Sequence, residues 1–239
     1  MTQRHSKRYT ELAKKVEAGK EHTPAEAVKL VKATSNAKFD ETVELHLRMG
    51  VDPKHADQVV RGAAVLPHGT GKSVRVVVFA QADKARDAKA AGADEVGTDD
   101  LAKRIEGGWL GFDVAIATPD VMGIVGRLGR TLGPRGLMPN PKSGTVTFDV
   151  TKAVREAKAG RIEFRVDKTG VVHTLVGKSS FEEKALLENL AQVMDAVNRA
   201  RPSGVKGTYI RSAYLASSQG PSVKLDLGET MALAGRATG

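Results

Sequence analysis

The chain contains no cysteine. Disulfides, thiolate zinc sites and cysteine nucleophiles are therefore excluded, and the composition fits a reducing compartment. Aromatic residues are only 4% of the 239 positions. That argues against a sheet surface covered in base-stacking rings and leaves shape and backbone contacts as the expected mode if RNA is bound. No run approaches the roughly 20 apolar residues that span a bilayer. The first residues, MTQRHSKRYTELAKKVE, are basic but lack the apolar core of a secretory signal, so a soluble cytoplasmic protein is expected. Catalytic motifs are missing too. The six histidines form no HExxH or similar metal spacing. No serine sits in a GxSxG elbow, and no carboxylate pair has a context suited to acid–base work. The expectation is a protein that is not an enzyme and carries no cofactor.

Positive charge is what the chain has in excess. A formal charge of +9 favours a polyanionic partner. Two segments concentrate it. Arg4, Lys7, Arg8, Lys14, Lys15 and Lys20 make the start a candidate RNA arm, with Leu12 and Val16 spaced for a short amphipathic helix. From Arg127 to Asp149 the chain reads RLGRTLGPRGLMPNPKSGTVTFD, and Arg127, Arg130, Arg135 and Lys142 all precede the first acid. Glycine permits close backbone approach and proline fixes a loop's path, so this stretch suits a phosphate-rich surface.

Hydrophobic periodicity divides the chain into two styles. Thr23-Pro24-Ala25-Glu26 has the form of a capping box and predicts a helix to about Thr34. Val43, Leu45, Leu47 and Met49 alternate with Thr42, Glu44, His46 and Arg48, which predicts a half-buried antiparallel strand with one polar open face. A helix is expected from Pro53 and a strand from about Gly62 to Leu66. The middle differs. Val74, Val76, Val77 and Val78 read as a parallel strand covered on both faces. Helix, strand, helix, strand and helix are expected to follow as far as Leu128, then a strand at 145–148 and a helix at 150–159. From Arg161 the first style returns, with a hairpin across Asp167–Gly170, a helix from Phe181 to about Arg199, and strands at 209–216 and 223–227. The expected fold is α/β with α+β in two domains. Residues 1–67 and 160–239 form a discontinuous α+β domain I, and residues 68–159 an inserted Rossmann-like α/β domain II.

Two glycine motifs invite a nucleotide reading. Gly69-Thr70-Gly71-Lys72-Ser73 resembles the end of a P-loop, but Leu66 stands where the first glycine is needed, and a strand follows instead of a helix. Gly123, Gly126 and Gly129 do not match the dinucleotide fingerprint. An α/β enzyme binding a nucleotide at the first motif is the rival from another class, and equilibrium dialysis with ATP or GTP separates it. A second rival is a free regulatory RNA binder. The candidates for RNA contact are Phe39, Thr42 and Glu44 on and beside the first strand, the Ser217–Pro221 turn, and cations at Lys38, Arg165, Lys168 and Lys178.

Residues 126–147, GRLGRTLGPRGLMPNPKSGTVT, closely resemble the signature of the L-one family of large-subunit ribosomal proteins. KFDETVELH (38–46), GRIEFRVDKTG (160–170) and GTYIRSAYLASSQGPSVKL (207–225) are similar to its bacterial members, so the resemblance spans essentially the whole chain. It implies the same discontinuous fold and binding of 23S rRNA, mainly through domain I, in the mobile stalk at the ribosomal E site. It further implies help in releasing deacylated E-site tRNA and repression of translation through binding an own-operon mRNA that mimics the rRNA site. Matching the family's motifs places Phe39, Thr42, Glu44, Ser212, Ser218, Gln219 and Gly220 at or next to the RNA surface. Bacterial relatives often have Thr where Ser218 stands and Met where Gln219 stands, and Gln adds hydrogen-bonding capacity. The resemblance places Arg127, Arg130, Arg135 and Lys142 in domain II, as secondary contacts with rRNA or tRNA.

Overall fold

A computed structural model describes residues 6–17 and 19–236; Arg4 of the basic arm lies outside them. Contacts divide the chain into two compact units, Met1–Gly71 with Ile162–Gly239, and Lys72–Arg161. The first unit opens with α1 (Lys7–Ala13), capped by the Ser6 side chain and anchored by buried Leu12. In α2 (Pro24–Thr34) the capping box is complete, Thr23 and Glu26 satisfying each other's backbone amides, with proline at the helix start. β1 (Thr42–Met49) alternates as its sequence requires: Val43, Leu45, Leu47 and Met49 are buried, the residues between them partly or fully exposed. After Pro53 only a 3-10 turn forms, Ala56–Gln58, in place of the expected helix. The Asp52 carboxylate captures the Lys54 amide at 3.0 Å, which favours a turn, and the segment has no apolar stripe to bury. β2 (Arg61–Val65) ends this first passage.

The second unit contains β3 (Val76–Phe79), α3 (Ala82–Ala90), β4 (Glu95–Gly97), α4 (Asp99–Glu106) and β5 (Val114–Ala117). The strands form a parallel sheet in the order β4-β3-β5. α5 (Met122–Arg127), α6 (Gly129–Leu132) and α7 (Val150–Ala159) follow. Central β3 is buried throughout because both faces are covered. Val77 and Phe79 pack into a cluster with Leu101, Ile105, Val121 and Val125, while Val76 and Val78 pack with Ala88, Val154 and Ala157 on the other side. A strand covered on both faces needs no polar alternation. Two details depart from expectation. The glycine-rich basic stretch is partly helical: Leu128 and Leu132, four apart and buried, pin one helical turn to the core before a 3-10 turn at Gly133–Arg135. No strand forms at 145–148; Val146 makes a single parallel bridge to Ala117.

The chain then returns to the first unit through β6 (Arg161–Arg165), β7 (Val171–Lys178), α8 (Glu183–Arg199), β8 (Ile210–Ser217), β9 (Val223–Leu225) and α9 (Leu227–Arg236). The expected 161–176 hairpin is not formed as a ladder. β6 pairs with β2, β7 pairs with β1, and one bridge, Val166 to Val172, joins them. The tight turn is real: Asp167 Oδ1 accepts the amides of Thr169 and Val171, both at 2.8 Å. Beyond it the strands separate because each finds a different neighbour. The sequence pattern predicts a strand at 223–227 as the last element; the strand ends at Leu225, and α9 follows it. Asp226 caps it through the Glu229 amide at 2.9 Å, and Leu227, Met231 and Leu233 pack on the core.

The main sheet of the first unit runs β7-β1-β8-β9, and each neighbouring pair is antiparallel. One face meets the core, where Val28 and Val31 of α2 and Leu186, Leu190, Val193 and Val197 of α8 join the inward residues of β1. The other face, bearing Glu44, His46 and Arg48, is left partly exposed. A polar side chain within this core organises the exit from β2. Fully buried Asn189 accepts the His68 amide at 3.1 Å and donates to the carbonyls of Gly69 and Val176 at 3.2 and 2.8 Å. Asn189→Ala strands three backbone groups, and the expected loss is about 2–3 kcal/mol. Urea denaturation measures it; a wild-type midpoint for the variant would contradict the assignment.

Candidate nucleic-acid interface

The polar end of the open sheet is built around a carboxylate that the sequence reading did not single out. Glu41 directly precedes β1 and is fully buried. Its Oε1 accepts the Ala37 amide and its Oε2 the Gln219 amide, each at 2.9 Å. One side chain thus fastens the loop after α2 to the turn between β8 and β9. Burial by itself raises the carboxyl's pKa, but the amides of Ala37 and Gln219 outweigh it and hold Glu41 below its ordinary range. Asp40, one residue earlier, performs a similar task at the surface. It accepts the Ser180 amide and hydroxyl and the Ser179 hydroxyl, at 3.1, 2.8 and 3.0 Å.

This frame presents several of the expected RNA-contact residues together. Lys38 and Phe39 lie on the loop, and the Phe39 ring is 53% exposed. Among the described residues the one other large apolar side chain so exposed is Phe148, in the second unit. Thr42 opens β1. Its amide donates to Ser218 Oγ and its carbonyl accepts the Ser218 amide, both at 3.0 Å. Lys178 donates to Thr42 Oγ1 at 3.0 Å and to the Asp40 carbonyl at 3.1 Å, so this cation braces the site. Ser218 and Gln219 are exposed at the turn. Gly220 closes the turn, where an added Cβ would displace the Ser217 hydroxyl. Arg8 of α1 reaches the same rim, donating to Asn36 Oδ1 at 2.6 Å and to the Gln219 carbonyl at 3.0 Å.

Other expected contacts lie elsewhere. Glu44 follows on the open face. Ser212 shares that face but pairs with Arg48, six residues along β1 from Thr42, or about 20 Å at the usual strand rise. A bulge at Arg48/Met49 leaves Arg211 unpaired, exposed beside Ser212. Lys168 sits in the turn before β7, at the Arg48 end of the sheet, and Arg165 is exposed on β6, in the separate two-stranded sheet. Between the two ends, His46 and His173 face each other across β1 and β7, with their Nδ1 atoms 2.8 Å apart. Burial, then the neighbouring His173, lowers the His46 pKa, against an opposing pull from Glu44. In the second unit Arg127, Arg130 and Arg135 are exposed on α5, α6 and the turn after them, and no hydrogen bond or ion pair to them occurs among the described residues. The Lys142 side chain lies outside the described set. The nucleotide-like Gly69–Ser73 segment is a connection between β2 and β3, with Gly69 and Gly71 at φ 67° and 73° and no helix after it.

The polar end of an open sheet, with hydroxyls and one bare ring flanked by cations, suits a broad polar partner better than an enclosed small molecule. The model of the Ribosomal protein L1p/L10e family matches residues 31–221. The chain belongs to that family. Membership makes it a non-enzymatic structural constituent of the ribosome that binds rRNA in the large subunit. No helix among the described residues is long and apolar enough to cross a membrane.

Because Glu41 has a depressed pKa, the stability it contributes is fully present above the ordinary glutamate value of about 4.3 and is lost as pH falls through the lower folded value. Glu41→Gln is expected to cost about 1–3 kcal/mol at pH 7, since an amide cannot accept both backbone N–H groups equally well. It should also flatten the acid limb of the stability curve. Denaturation from pH 7 down to about pH 2 checks both; an unchanged acid limb in the variant contradicts the role given to Glu41.

Proposed function

We propose that the first unit anchors the protein to the 23S rRNA of the mobile stalk at the ribosomal E site, through the surface that runs from Phe39 and the Ser218-Gln219-Gly220 turn along the open sheet face. The observation that carries this reading is the exposed Phe39 ring beside a polar rim already fastened from within by Glu41. An aromatic held in water next to ordered amides and hydroxyls can stack on an unpaired base while its neighbours contact ribose and phosphate. Lys38, Thr42 and Glu44 belong to the same surface; Ser212, Lys168 and Arg165 extend the footprint. Residues 1–67 and 160–239 act as the main rRNA-binding domain, and 68–159 as the inserted domain.

In this reading the second unit moves with the stalk and assists release of deacylated tRNA. Arg127, Arg130, Arg135 and Lys142 supply its secondary contacts with rRNA or tRNA. Free arginines on glycine-bordered helical turns support that assignment, because they have no protein partner to give up among the described residues. An own-operon mRNA that mimics the rRNA site would occupy the same surface and repress translation. The protein works in the cytoplasm, bound to ribosomes.

The test is a salt titration of binding to a transcript of the stalk rRNA segment. Affinity should fall steeply, with a log–log slope of about −0.7 to −0.9 per phosphate neutralised. Phe39→Ala should weaken binding by about 1–3 kcal/mol if the ring stacks on a base. Salt-independent binding, or wild-type affinity in a folded Phe39→Ala protein, counts against the reading. Arg127→Ala with Arg130→Ala should leave affinity for the stalk transcript within about twofold while weakening tRNA retention on ribosomes; an equal loss on the isolated transcript would move the primary site.

A further inference from the structure

The two loops that form the rim of the proposed interface are fastened together twice, from opposite sides. From within, Glu41 takes the amides of Ala37 and Gln219. From outside, Arg8 takes Asn36 Oδ1 at 2.6 Å with one guanidinium nitrogen and the Gln219 carbonyl at 3.0 Å with another, and a longer contact of 3.5 Å reaches Gln219 Oε1. Both clasps therefore join the same neighbouring residues, 36–37 on one loop and 219 on the other. Arg8 is carried by α1, which is capped by Ser6 and held by buried Leu12, so the guanidinium is delivered from a fixed element.

We propose that Arg8 is a positioning residue for the RNA interface. It holds the loop that presents Lys38 and Phe39 against the turn that presents Ser218, Gln219 and Gly220. This rests on the reading of that surface as the rRNA site. The planar fork of arginine can span two acceptors on separate loops, whereas the single ammonium of lysine cannot satisfy both in the same geometry. Preorganisation of this kind raises affinity because the rim need not be ordered when RNA arrives. Gln219 Oε1 lies beside the same guanidinium, at 3.5 Å. Arg8 then acts on RNA through the protein, with two guanidinium nitrogens directed at Asn36 and Gln219.

Binding of the stalk rRNA transcript to the full chain is measured over a salt series for Arg8→Ala, Arg8→Lys, Asn36→Ala, the Arg8→Ala/Asn36→Ala double variant and Phe39→Ala, with thermal unfolding alongside. Arg8→Ala should bind about fivefold more weakly, with the wild-type melting temperature and salt slope. Arg8→Lys should be as weak as Arg8→Ala. The double variant should lose no more than Arg8→Ala alone, because the two side chains act as one clasp. Restored affinity in Arg8→Lys, or a slope shallower by about 0.7–0.9 in Arg8→Ala, would make Arg8 a direct phosphate contact and overturn the proposal. Wild-type affinity in Arg8→Ala with impaired Phe39→Ala overturns the clasp and leaves the interface standing. Wild-type affinity in both overturns the interface as well.

Discussion

A single buried carboxylate sets the conditions for everything at the polar end of the sheet. Glu41 has no exposed surface, and burial of an ionised group is costly unless hydrogen bonds replace its water. The Ala37 and Gln219 amides do so. Those amides come from loops that are far apart in sequence, so the requirement to solvate one charge dictates where both loops lie. Thr42 and Ser218 then exchange backbone and hydroxyl hydrogen bonds at the start of β1, and the rim is continuous from Phe39 to Gly220.

The same economy of polar groups recurs in the core. Asn189 is buried on α8, and its three bonds bind the exit of β2 to β7 through the Gly69 and Val176 carbonyls. Apolar packing brings α2 and α8 onto the sheet but is non-directional. Glu41 and Asn189 add direction at two places where backbone leaves regular structure. On the open face the bonds join neighbouring surface groups, Lys178 to Thr42 and His46 to His173, and the side chains stay partly exposed, which suits a surface that meets an external partner.

Much of the fold was legible because local chemistry and burial agreed. The alternation of β1, the capping box of α2 and the unbroken valine run of β3 each describe an environment that the tertiary structure supplies. The failures are equally specific. Asp52-Pro53 reads as a helix start, yet the segment has nothing to bury and stays a turn. Arg161–Val176 reads as a hairpin because turn signals say nothing about which neighbour each strand will choose, and here β6 and β7 choose different ones. α9 was missed because Gly228 and Gly235 weaken its helical pattern, while the packing of Leu227, Met231 and Leu233 that stabilises it is a long-range effect.

Of the candidate site, the residues that face outward were legible and those that hold them were not. Phe39, Thr42 and the Ser218–Gly220 turn could be named from motif and polarity. Glu41 looked like one more acid in a charged run, and Arg8 like one more cation in a basic arm, since a side chain's partner is not written in its own neighbourhood. The sequence by itself determined the class: a basic, cysteine-free chain with no catalytic constellation and an L-one signature. Only the tertiary structure decided that residues 8, 36, 41 and 219 meet at one rim, because hydrogen bonds between distant segments exist only after the core has brought those segments together.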